Sequence, residues 1–277
     1  MIRIVSVLCL LAVSFAAHSQ YYYKDILSTR QSSEQLRKFK AAGVRSVTVN
    51  SFEPDGERTA DFTGSQKVRD DYGSIQTVFN TPLSGASELI TQFNSAGLVI
   101  KTIDTADGSA SVSDYRYDNN GRLTSIVNVS TSPGMHTEKE EHHWIFDTEG
   151  KPKTMHRIKN GTDTTIISFV LDEKGNVAEE NSSRRGLRQT SYYYYYDDSA
   201  RLTDIVTYNE KARRLLPIYV FEYNSSGLVS SMLVVPEGTD DYQRWVYEYN
   251  NAGLKTKETC FNKRRQMLGR IEYVYGR

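Results

Sequence analysis

Potential metal ligands are densest at His136, Glu138, Glu140, Glu141, His142 and His143. Zinc is held by imidazole and carboxylate groups, and an extended backbone would put Glu141 and His143 on one face. The run lacks the tight His-Glu-x-x-His spacing of a zinc helix. It is expected to be a solvated loop leading into a Trp144 strand, with no metal bound. Several Asp-x-x-Gly segments resemble parts of calcium loops, but each offers one carboxylate where calcium takes six to eight oxygens, so turn geometry accounts for them. There is no Gly-x-Ser-x-Gly elbow, no phosphate loop and no Cys-His pairing. No catalytic residue or cofactor is assigned, and the chain is not expected to be an enzyme. Asp and Glu are plentiful enough to keep a glycan-active enzyme as an alternative.

Tyrosine is the compositional outlier, at 19 residues, five of them consecutive from Tyr192 to Tyr196. Its ring offers apolar area and its hydroxyl seeks a partner, so an exposed row of rings could stack on sugars. Tyrosines that recur with a period suit core spacers better than ligand contacts. In the consecutive run, alternation puts Tyr192, Tyr194 and Tyr196 on one face and Tyr193 and Tyr195 on the other. If the first set is core, the second is free to bind. Tyr193 and Tyr195, with Tyr115, Tyr117 and Trp144, are the candidate ligand-binding residues.

These side chains must be held by a repeated element, clearest in Tyr115–Ile126, YRYDNNGRLTSI. Two strand patterns flank a turn that Asp118 opens and Gly121 closes, the chemistry of a type I hairpin with a bulge. The grammar recurs with closing positions 97, 121, 150, 175, 200, 227 and 253, where 200 is Ala rather than Gly. The separations are 24, 29, 25, 25, 27 and 26 residues, and such self-similarity marks a repeat architecture. The motif Tyr-x-Tyr-Asp-x-x-Gly-Arg-Leu resembles the YD repeat of the RHS family, found also in teneurins and polymorphic-toxin shells, over roughly residues 90–277. The resemblance implies repeats wound into a β-sheet shell, some of which bind carbohydrate.

The expected fold is all-β: a long antiparallel meander of β-hairpin repeats with a period of about 26 residues, in a strongly curved or spiralled sheet. About sixteen strands are expected, with tyrosines on the concave side. Return strands such as Leu228–Val235 carry apolar residues on both parities, which implies a bulge or two covered faces. One short N-terminal helix, within Tyr21 to Ala42, could be capped by Ser32 or Ser33 and would cover a sheet edge. Arg45–Asn50 should be the first strand. Between there and Ile90 the pattern blurs, with strands placed loosely at Lys67–Asp71 and Ser74–Asn80.

Residues 1–19 have the form of a signal peptide: Arg3, an apolar core over Ile4–Ala17, and a small-x-small site at Ala17-His18-Ser19. The expected organisation is a signal peptide at 1–19, a helical cap at 20–44 and a β-hairpin repeat domain at 45–277. Removing the signal leaves one cysteine, Cys260, so no internal disulfide can form in the oxidising compartment beyond the membrane. Lys plus Arg and Asp plus Glu balance at 34 each, which disfavours nucleic acid as a partner. The resulting expectation is an exported, non-enzymatic repeat protein in the periplasm or at the surface of a Gram-negative-type bacterium. It would bind polysaccharide or another envelope protein. An outer-membrane β-barrel is the further alternative. Against it stand Arg116, Glu222, Arg244 and Glu248 beside the turns and a mean hydropathy of −0.54, so no membrane insertion is expected.

Overall fold

In a computed structural model, residues 21–81, 85–209, 212–236 and 241–277 are described. The expected signal at 1–19 lies outside them. Helix α1 spans Lys24–Ala42, with Asp25 in its first turn and Lys40 in its last, each at the end where its charge suits the helix dipole. It ends at Gly43, whose φ of 69° is the left-handed cap that glycine adopts without strain. The helix starts well before Ser32 and Ser33, so neither caps it. Tyr23 stands at the cap position, and its side chain makes no capping hydrogen bond to the helix. The Glu180 carboxylate takes over, accepting from the N–H groups of Tyr22 (2.7 Å) and Tyr23 (2.9 Å). A tertiary contact thus supplies the acceptor that local sequence lacks.

Eighteen strands follow among the described residues. They are β1 (Ser46–Phe52), β2 (Thr63–Val68), β3 (Ser74–Thr81), β4 (Gly85–Phe93), β5 (Val99–Ala106), β6 (Ser109–Tyr117), β7 (Leu123–Thr131), β8 (Glu138–Phe146) and β9 (Pro152–Lys159). Then come β10 (Asp163–Leu171), β11 (Val177–Arg184), β12 (Leu187–Tyr196), β13 (Leu202–Asn209), β14 (Arg214–Tyr223), β15 (Val229–Val234), β16 (Gln243–Tyr249), β17 (Lys255–Asn262) and β18 (Met267–Gly276). The blurred stretch after Asn50 is therefore sheet as well, which is why the count exceeds sixteen.

The strands form an antiparallel hairpin meander, and β1 hydrogen-bonds to both β2 and β18. The strand order closes on itself, the pairing pattern of a β-barrel. Because β1 is paired on both sides, α1 has no edge to cover; it lies on a face instead. The expectation of no membrane insertion is corrected by this closure. A closed antiparallel sheet with an even strand number satisfies every backbone group internally, the condition a strand protein must meet to span a bilayer.

By compactness the chain divides into two units. One comprises Val49–Ala60 with Tyr194–Val274; the other comprises Tyr21–Thr48, Asp61–Tyr193 and Tyr275–Arg277. The first buries Ile205, Trp245, Cys260 and Ile271. The second buries Leu36, Phe39, Trp144, Met155, Ile167 and Val177, with Met155 and Ile167 at 0% exposure. Burial of side chains of this size stabilises by about 1.5–3 kcal/mol each. Alternation is plain in β10, where Thr165, Ile167 and Phe169 are buried and Ile166, Ser168 and Val170 are exposed.

Candidate functional site

The repeated turn sets where alternate strands from β5 to β17, and β18, begin. In each copy the Asp or Asn N–H donates to the carbonyl four residues on, and the N–H three residues on donates back to the Asp or Asn carbonyl. This holds at Asn94, Asp118, Asp147, Asp172, Asp197, Asn224 and Asn250. The side chain completes the turn: Asp118 Oδ1 accepts from the N–H groups of Asn120 and Arg122, both at 2.9 Å. The closing residue has positive φ, 74° at Gly121 and 57° at Ala200. An eighth copy opens at Asn262 and closes at Arg265, φ 60°. It was hidden in the sequence because arginine stands where glycine is expected. The register slips by one residue beside the turns, for instance between Arg116 and Tyr117 and between Glu248 and Tyr249. These bulges reset the alternation after each turn.

The ligand-binding candidates divide between the two faces. Tyr192 and Tyr194 are each 3% exposed, whereas Tyr195 is 49% exposed and Tyr193 is half-buried. Tyr115, Tyr117 and Trp144 lie on the face that carries α1. Tyr115 meets the Thr102 hydroxyl at 3.4 Å, and Trp144 stacks on Phe169 with centroids 5.1 Å apart. Trp144 is core. The five rings therefore do not make one groove, because Tyr193 and Tyr195 face the other way.

From Glu138 onward the histidine-rich run is strand β8 rather than a solvated loop, while His136 lies in the loop before it. Its alternation sends Glu140 and His142 towards α1 and Glu141 and His143 away, so the six groups do not converge. His142 is pinned at both ring nitrogens, Nδ1 at 2.6 Å from Asp25 Oδ2 and Nε2 at 2.9 Å from Glu140 Oε1. Arg157 donates to Glu140 Oε2 through Nε (2.9 Å) and its terminal nitrogen (2.5 Å). The Tyr22 ring meets His142 edge-on at 5.5 Å. Burial pushes the Tyr22 hydroxyl up to about 12 and draws the Lys24 ammonium down, against the pull of nearby carboxylates. With both imidazole nitrogens engaged, this network is a strut that fixes the helix to the sheet.

Among the described residues, the first unit holds an open cavity of about 330 Å³. Its floor is Val220, Leu233, Val246 and Phe261, and its polar rim includes Glu222, Ser231, Arg244 and Tyr242. The register aligns Val220 with Leu233 and Arg244 with Phe261, while Glu222 lies opposite Ser231. Ser231 Oγ donates to Glu222 Oε2 at 2.5 Å, and Arg244 donates to the same oxygen at 2.7 Å. The apolar residues on both parities of Leu228–Val235 were the sequence signal of this second covered face. Nothing in the sequence placed Phe261 beside them.

No family model matches the chain, and no curated protein matches it. Among solved structures it is similar to the complex TcdB2-TccC3-Cdc42, at 13% identity and a TM-score of 0.36, over 77% of this chain and 12% of that one. The chain thus spans a small part of that larger protein. It is similar too to a porin-like protein from Bacteroides uniformis, at 9% identity and a TM-score of 0.39, over 84% of this chain and 98% of that one. A porin-like protein from Bacteroides vulgatus gives 11% identity and a TM-score of 0.27 over the same shares.

Proposed function

We propose that the chain is a non-enzymatic β-barrel protein of the outer envelope of a Gram-negative-type bacterium. The observation that carries this reading is the closed order of eighteen strands, with β1 bonded to β2 and β18. A second feature supports it. On the face turned away from α1, Ile90 lies opposite Ile103, Ile103 opposite Val112, and Val112 opposite Val129. That is a four-strand apolar row of the kind a lipid-facing belt uses. The same face carries Lys101–Asp114 at 2.9 Å and Lys139–Glu141 at 2.7 Å. A lysine facing lipid at the bilayer midplane costs about 2–4 kcal/mol, so these pairs belong at headgroup height or in water. The kinship to YD-repeat proteins rests on the repeat in the residues themselves.

The test is extraction of the protein from envelopes of a host that exports it. Resistance to alkaline carbonate, together with a heat-dependent shift in electrophoretic mobility, is the expected result. Complete release by carbonate without detergent sinks the bilayer reading. The cavity in the first unit and the exposed Tyr195 favour a second reading, in which the barrel binds polysaccharide or another envelope protein. Retention on insoluble envelope polysaccharide, lost on Tyr193→Ala with Tyr195→Ala, would sustain it. Equal retention of the double variant would remove the tyrosines from the mechanism.

A further inference from the structure

We propose that the face of the second unit turned away from α1 carries a phosphate-binding site built around Arg116, Ser125 and His143. These three are in register on neighbouring strands: Arg116 lies opposite Ser125, and Ser125 opposite His143. Side chains directly opposite in antiparallel strands stand about 4.5–5.5 Å apart at Cβ. Ser125 is the small member of the row and only 9% exposed, with longer side chains on either side. It makes the floor of a gap that Arg116 and His143 flank. The gap belongs to an open cavity of about 490 Å³, which Asp114, Lys139 and Glu141 line as well.

Charge complementarity decides the occupant. Asp114 is neutralised by Lys101 at 2.9 Å, and Glu141 by Lys139 at 2.7 Å. Glu141 also holds His143 Nε2 at 3.3 Å, which leaves the Nδ1 edge of that ring available. Among the described ion pairs Arg116 has no carboxylate, so the cavity holds one surplus guanidinium. Its planar fork of N–H donors matches the oxygens of a phosphate, and the Ser125 hydroxyl supplies a further donor from below. The cavity is several times the size of an inorganic phosphate, with room for the group that bears it. Two sources share this chemistry, a soluble phosphorylated compound and a phospholipid headgroup. The inference is independent of the bilayer reading, since the site is a surface cavity in either case.

The test is titration of the purified full chain with inorganic phosphate, followed through the imidazole carbon-bound proton signal of His143, assigned by its absence in His143→Gln. A saturable shift is expected. Arg116→Gln should weaken it at least tenfold and Ser125→Ala several-fold, while Arg116→Lys keeps part of it. Arg244→Gln, in the other unit, should change nothing. Thermal melting of each variant separates lost binding from lost folding. Absence of a saturable shift, or an unchanged midpoint in a folded Arg116→Gln protein, overturns the proposal. A second arm measures co-sedimentation with phosphatidylglycerol-containing vesicles against phosphatidylcholine alone. Preference for the anionic vesicles that Arg116→Gln abolishes assigns the headgroup as source; phosphate binding without that preference assigns a soluble compound.

Discussion

Two stretches of the α1-bearing face differ although the same turns build both. From β8 to β12 the face is filled by Trp144, Met155, Ile167, Val177 and Tyr192, all under 5% exposed. In the halves of β5, β6 and β7 away from the repeated turns it presents Asp104, Ser111, Ser113, Asn128 and Ser130. There Asn128 Nδ2 donates to the hydroxyls of Ser111 (2.7 Å) and Ser113 (2.9 Å), and Ser130 donates to Asn128 Oδ1 at 2.8 Å. The turn chemistry fixes the meander and its register in both places, but it does not determine what a face is made of. The N-terminal end of α1 supplies the difference: Tyr21, Tyr22 and Tyr23 meet Tyr192, His142 and Phe169. Apolar burial accumulates where the helix start can close over it, and hydroxyl and amide groups line the part it leaves.

The largest break in this contrast should come from His142→Leu. It leaves the buried Asp25 carboxylate without its partner, and the cost should be about 3–5 kcal/mol in urea unfolding. Glu180→Leu strips the acceptor from two helix-start N–H groups and should cost about 1–3 kcal/mol, with earlier hydrogen exchange at the start of α1. On the polar stretch, Asn128→Ala should cost about 1 kcal/mol or less, because water can replace its bonds at a half-exposed site. A cost equal to that of His142→Leu would show that the two stretches are one core. At the turns, Ala200→Gly should raise stability by about 0.5–1 kcal/mol. It relieves a positive φ that alanine tolerates poorly, against a partly offsetting entropy loss.

Acid should act through the turns first. Backbone donation by Arg122 holds the Asp118 carboxyl below its usual value, and the Arg201 guanidinium does the same for Asp197. The Asp71 carboxyl is held at about 2, chiefly by Arg69. A depressed folded value means that these groups stabilise the fold above the ordinary carboxylate value near 4 and lose that contribution as pH falls through their lower folded values. Melting temperature should therefore decline from about pH 4 towards pH 2, and less so in Asp71→Asn with Asp118→Asn. An equal decline in that variant would move the acid response elsewhere.

The repeat was legible because its turn needs particular residues: an Asp or Asn whose oxygen accepts two N–H groups, and a closing residue free to take positive φ. The opposite faces of Tyr192 to Tyr196 were equally legible from alternation. Closure was not, since it depends on β1 meeting β18 across almost the whole chain. Glu180 was invisible as a helix cap for the same reason: its partners, Tyr22 and Tyr23, are more than 150 residues away. The row Arg116–Ser125–His143 could be assembled only once three strands had a register.

The backbone bond from Arg45 N–H to the Gly276 carbonyl, 2.8 Å long, lies just where the last strand meets the first. In hydrogen-bonding terms the sheet is a ring, and which strand is synthesised first is an accident of where the gene opens. Asn160-Gly161 joins β9 to β10 with positive φ at both residues, the tight turn that suits a hairpin. A circularly permuted chain, linked end to end and reopened there, would keep the whole ladder of strand pairs. It would differ in assembly order alone, with β10 made first and the β1–β18 seam formed midway through synthesis instead of last.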